Sequence, residues 1–144
     1  MTHLDLILRY VQDVWTEGRV DLLSEYVDDD CRFSDLYGDT VLVGRKAVAD
    51  SIAQWLSMFA RHEGRVLHSV ADDDRIAWQW SVTGTWSDTP PLGYGDEKRP
   101  RWPAGKSVVV AGIAFTTIKA GRIIHEQNQS DTQGLVEQMG YSLR

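Results

Sequence analysis

Apolar residues at Leu4, Ile7, Leu8, Val11, Val14 and Trp15 recur every three or four positions, the spacing of one buried helix face. Thr2 stands where a cap would accept the free N–H groups of the first turn, and Gly18 where the helix would stop. Leu22, Leu23, Tyr26 and Val27 predict a short second helix before the acidic turn Asp28-Asp29-Asp30. Val48, Ile52, Trp55, Leu56 and Phe59 predict a third, which starts after Gly44. Between these two helices, Cys31 to Asp35 reads as a short strand.

The pattern then shifts from helical spacing to alternation. Residues 65–70 and 75–86 predict two strands around the turn Ala71-Asp72-Asp73-Asp74. Residues 87–106 hold all four prolines and the mixed-charge run from Asp96 to Arg99, so they read as a loop. Residues 107–118 form a β-branched strand, and Ala120-Gly121 turns it into another over 122–129. Asp131 would cap a closing helix through Met139, with Gly140 as its stop. Helices first and antiparallel strands after them define an α+β class. A curved sheet backed by helices leaves a concave space suited to a small molecule.

Composition narrows the function. The chain has 144 residues, enough for one domain over 1–144 with a single core. Its formal charge of -6 argues against nucleic-acid or anionic-membrane partners, which need a basic face. One cysteine makes neither an internal disulfide nor a cysteine-based zinc site, and no His pair has metal spacing. No run approaches the roughly 20 apolar residues of a membrane span, and the first turn lacks a leader's apolar core. The expectation is a soluble cytoplasmic protein without metal or cofactor.

Several strings, in order, resemble those of the SnoaL-like polyketide cyclases within the nuclear transport factor 2-like superfamily. They are Tyr26-Val27-Asp28-Asp29-Asp30, Gly44-Arg45-Lys46-Ala47-Val48, Val82-Thr83-Gly84-Thr85, Pro103-Ala104-Gly105-Lys106, Gly121-Arg122-Ile123 and the run from Asp131 to Gly140. The resemblance implies a cone-shaped α+β barrel, cystatin-like, whose curved mixed or antiparallel sheet and helices enclose an apolar pocket. It also implies a homodimer that works without a cofactor. The superfamily hosts isomerases, cyclases, dehydratases, epoxide hydrolases and non-catalytic binders, so fold does not determine activity.

The same resemblance identifies departures. The pocket aspartate expected on the last strand falls at Asn128, and the pocket histidine of the preceding strand at Ala114. Asparagine exchanges hydrogen bonds but no proton. The segment around Asp35 is similar in spacing to the one carrying the general base of ketosteroid isomerases, which makes Asp35 the leading candidate base. The isomerases' oxyanion tyrosine falls nearest Val11, with Tyr10 one residue out of register and so turned by about 100° on a helix.

On the last strand, alternation puts Glu126 beside Asn128 on one face and His125, Gln127 and Gln129 on the other. Asn128 is expected to anchor a ligand, Glu126 is a further acid/base candidate, and Asp131 is structural. The chain also carries six tryptophans. Trp15 and Trp55 fall on helical stripes, whereas Trp78, Trp80 and Trp86 share one strand face. Natural cores rarely use so many, since each indole N–H needs a partner. Together with Tyr37 and Phe59 they are expected to line a pocket for a flat, polycyclic or polyene, polyketide-like ligand. The function implied is a cyclisation or isomerisation in secondary metabolism. The alternative is a non-catalytic binder, or an accessory subunit of another biosynthetic enzyme such as a hydroxylase.

Overall fold

Thr2 caps the first helix as expected: its hydroxyl accepts from the Asp5 N–H while the Asp5 carboxylate accepts from the Thr2 N–H. The computed structural model describes residues 1–36, 38, 41–90 and 102–140. Helix α1 spans His3–Tyr10 and passes directly into a π-helical turn, Val11–Thr16. Its buried residues are Leu6, Ile7, Tyr10, Val11 and Val14, whereas Leu4 and Leu8 are exposed. The buried stripe is therefore rotated from the predicted one. The reason is the π-turn, which changes the periodicity on which a single stripe depends. A 3₁₀ segment, Val20–Glu25, stands where a second helix was expected.

Strand β1 (Val27–Ser34) is longer than its pattern suggested, because Asp28, Asp29 and Asp30 belong to it rather than to a turn. β2 (Val41–Val43) follows, then α2 (Arg45–Ser57) after Gly44, whose φ of 90° suits glycine alone. β3 is Phe59–Ala71, so Phe59 opens a strand instead of closing a helical stripe. β4 is Arg75–Trp86, β5 Ser107–Lys119, β6 Arg122–Ser130 and α3 Thr132–Gln138. Asp131 caps α3 by accepting from the Gly134 N–H at 2.9 Å.

The six strands form one mixed sheet in the order β2-β1-β6-β5-β4-β3. All neighbours are antiparallel except β1 and β6. The terminal strands β2 and β3 do not pair, so the sheet stays open and the helices complete the cone. The π-turn docks on β3, where the Thr16 hydroxyl accepts from the Gly64 N–H at 2.9 Å. His62 Nδ1 lies 2.7 Å from the carbonyl oxygen of Trp15. Gly64 has to be small there, since a Cβ would run into Val11 and Trp15. Among the described residues, no helix is long and apolar enough to cross a membrane.

Candidate active site

Strand alternation builds one wall of the site. Ile76, Trp78, Trp80 and Val82 of β4 face inward, as do Ala114 and Thr116 of β5 and Glu126 and Asn128 of β6. Trp78, Trp80, Val82, Glu126 and Asn128 line the cavity, and Ile76, Ala114 and Thr116 are buried behind it. The helical wall adds Tyr10, Val11 and Trp15 from the first helix and Val48, Ile52 and Trp55 from α2. Between the two walls lies a cavity of about 480 Å³. This falls within the range typical of small-molecule sites.

A polar relay crosses three strands behind and beside the cavity. Trp78 Nε1 donates to Thr116 Oγ1 at 3.0 Å, and Thr116 Oγ1 donates to Glu126 Oε1 at 3.1 Å. From the other side, Trp80 Nε1 donates to Asn128 Oδ1 at 3.1 Å, and Asn128 Nδ2 approaches Glu126 Oε2 at a looser 3.5 Å. An indole N–H only donates, so it orients each intermediate group to donate onward. Both arms therefore converge on one carboxyl group.

Glu126 is 3% exposed and lines the cavity. Burial penalises its charged form and outweighs the bonds from Thr116 and Asn128, so its pKa is pushed up to about 7. Among the described residues, no ion pair involves it. At neutral pH such a carboxyl group is present in both proton states, as general acid–base work requires.

Tyr10 was expected to turn away, yet it is buried and lines the cavity beside Val11. Trp15 Nε1 donates to the Tyr10 hydroxyl at 3.1 Å. In a regular α-helix, residues five apart point about 140° away from each other. The π-turn brings this pair to one wall. Burial, then the nearby Glu126, hold the Tyr10 phenol well above its usual range, so it remains a neutral donor.

The other expected residues are distributed as follows. Trp15, Trp55, Phe59, Trp78 and Trp80 line the cavity. Asp35 lies half-buried on its lining just after β1, with its backbone carbonyl accepting from the Gly38 N–H, and outside the relay to Glu126. Tyr37 lies outside the described residues. Trp86 is not on the cavity. It is 2% exposed, stacked on Phe59 at 5.2 Å and tilted against Trp102 at 4.9 Å. It shares the face of Trp80 but lies farther along β4, where a second apolar cluster covers it. Gln129, expected on the far face, joins Asn128 in the lining where β6 ends. Cys31 is a buried strand residue whose thiol is held up by burial.

Two contributors escaped sequence reasoning, Tyr10 and Thr116. Thr116 was hidden by a bulge. Counted from the two-residue turn at Ala120-Gly121, it would sit opposite His125. Ile124 is instead skipped in the ladder, and Thr116 pairs with Glu126.

The model of the SnoaL-like polyketide cyclases matches residues 5–139. The chain belongs to that family. Among solved structures, it is similar to a proposed SnoaL-like polyketide cyclase from Jannaschia sp. CCS1, at 20% identity and a TM-score of 0.78, covering 96% of this chain and 92% of that one. IdmH, a proposed polyketide cyclase from Streptomyces antibioticus, matches at 17% identity and a TM-score of 0.77, covering 96% and 98%. AclR, a proposed hydroxylase from Streptomyces galilaeus, matches at 18% identity and 0.77, covering 98% and 82%. No curated protein matches the chain significantly. At these identities the structural likeness establishes the nuclear transport factor 2-like fold.

Proposed function

We propose that this SnoaL-like protein is an enzyme of secondary metabolism that cyclises or isomerises a polyketide-like substrate, with Glu126 as its acid/base. The observation that carries this reading is a buried carboxyl group titrating near 7 on the wall of an aromatic cavity. Ionised Glu126 takes a proton from carbon next to a substrate carbonyl. The C–H electron pair becomes the enolate double bond, and the carbonyl electrons move onto oxygen. The Tyr10 O–H and the second N–H of Asn128 are donors for that oxygen. In a cyclisation, the enolate carbon then attacks a second carbonyl of the same molecule. The new alkoxide recovers the proton from Glu126. In an isomerisation, the proton returns to a different carbon.

Flat ring faces of Trp15, Trp55, Trp78 and Trp80 would hold the substrate in its reactive fold, an orientation effect worth about 7–11 kcal/mol. Asp35 would meet the substrate as a second, less buried carboxylate. A homodimer is supported by the apolar row Val109, Ile113 and Phe115 exposed on the outer face of β5. The non-catalytic alternative draws support from Asn128 and Ala114, which exchange no protons.

The test is a panel of polycyclic β-keto esters followed by NMR for solvent deuterium exchange and ring closure. Glu126→Gln is expected to lower the rate by about 10²- to 10⁴-fold, with Asp35→Asn less affected. A Glu126→Gln variant that keeps the wild-type rate on a substrate the parent converts would overturn the assignment. Tryptophan quenching without turnover across the panel would favour the binder.

A further inference from the structure

We propose that Thr116, under the direction of Trp78, is a positioning residue that sets the proton affinity of Glu126. This rests on the acid/base reading of Glu126 but concerns a residue that does not line the cavity. Thr116 is fully buried and lies directly opposite Glu126 across β5 and β6. Its hydroxyl has a single proton. The Trp78 indole at 3.0 Å can only donate, so the Thr116 oxygen accepts there and its proton goes to Glu126 Oε1 at 3.1 Å. The hydroxyl is thereby locked as a donor, which favours the ionised carboxylate. The second arm, through Asn128, is looser at 3.5 Å. The substrate-side proton of Glu126 therefore belongs on Oε2.

The surroundings leave this arm little competition. The groups facing Glu126 are the Tyr10 phenol from α1, Thr116 from β5, Asn128 on its own strand and Phe33, its register partner on β1. Tyr10 remains neutral at working pH, and among the described residues no cation pairs with Glu126. A locked donor on one oxygen is thus the principal counterweight to burial. Without it, the carboxyl group would remain protonated at neutral pH and would not accept a proton from substrate.

The experiment uses full-length protein with glutamate labelled by ¹³C at the side-chain carboxyl, the Glu126 signal assigned by its absence in Glu126→Gln. Thr116→Val keeps the shape and removes the donor. Its Glu126 midpoint should rise by about one pH unit or more, a tenfold change in the ratio of ionised to protonated form. Thr116→Ser should stay within about 0.3 unit of the parent, since the hydroxyl is retained. Trp78→Phe unlocks the hydroxyl and should give an intermediate rise, which supplies the answer if Thr116→Val does not fold. An unmoved midpoint in whichever of these two variants folds overturns the proposal. A pH–rate profile separates the two claims. If the NMR midpoint moves and the profile does not follow, the relay stands and Glu126 is not the base. If turnover requires Glu126 while the midpoint stays put, the base stands and the relay fails.

Discussion

Trp80 and Trp86 lie on the same face of β4, six residues apart, yet they belong to different parts of the molecule. Trp80 lies over Gly112 of β5, lines the cavity and spends its N–H on Asn128. Trp86 is covered by Phe59 and Trp102 and makes no cavity wall. The difference comes from what stands opposite. A glycine beneath Trp80 leaves room for the indole to lie across the strand, and Asn128 lies within reach of its N–H. Phe59 stacked on one side and Trp102 tilted against it leave Trp86 almost no exposed surface. Residue type and strand face are shared; neighbours divide the two tryptophans between cavity wall and packed interior.

The largest effect should come from the packed end. Trp86→Ala removes a fully buried indole and should cost about 3–5 kcal/mol in urea unfolding, while the folded fraction keeps its affinity for cavity ligands. If affinity collapses with the fold intact, Trp86 belongs functionally to the site and the contrast with Trp80 fails.

The cavity end should carry a pH dependence that the packed end lacks. Glu126 titrates at about 7 in the folded chain against the usual 4.5. Between those values the native state holds a proton that the unfolded chain has released, so stability falls as pH rises. It is greatest below about 4.5 and levels off above about 7. At 1.36 kcal/mol per unit, the loss is about 3 kcal/mol. Glu126→Gln should abolish this component, so the stability difference between parent and variant should vary with pH over that window. A constant difference would mean that Glu126 is not buried as described.

A smaller change should sharpen the contrast at Gly112. An alanine Cβ there would run into the Trp80 ring and the carbonyl oxygen of Gln129. Gly112→Ala should cost about 1–3 kcal/mol and, by moving Trp80 off Asn128, weaken ligand-induced fluorescence quenching more than Trp86→Ala does. Equal quenching in the two variants would dissolve the distinction.

Much of this architecture was legible along the chain. The alternation of β4 set Trp78 and Trp80 on one face, and that of β6 set Glu126 with Asn128. Glycines at 18, 44 and 121 marked turns that do adopt positive φ. The family resemblance supplied the cone and the pocket. Of the aromatic residues expected in the pocket, Trp15, Trp55, Phe59, Trp78 and Trp80 line the cavity, whereas Trp86 does not, and Tyr10 and Thr116 went unread. Asp35, favoured by spacing, lies outside the relay, and Glu126, treated as secondary, is the carboxyl group at its centre. Spacing carries no information about burial, and burial is what separates the nearly enclosed Glu126 from the half-buried Asp35.

The sequence by itself therefore determined the succession of the longer elements (though not the short strand β2), the inward face of β4 and the aromatic character of the cavity, because these follow from short-range periodicity and side-chain volume. Only the tertiary structure decided which carboxyl group the relay reaches, and it did so through two irregularities. The bulge at Ile124 brings Glu126 rather than His125 opposite Thr116. The π-turn brings Tyr10 and Trp15 to the same wall. Both shift register by one residue, which leaves composition and local pattern intact but changes which side chains meet across the fold.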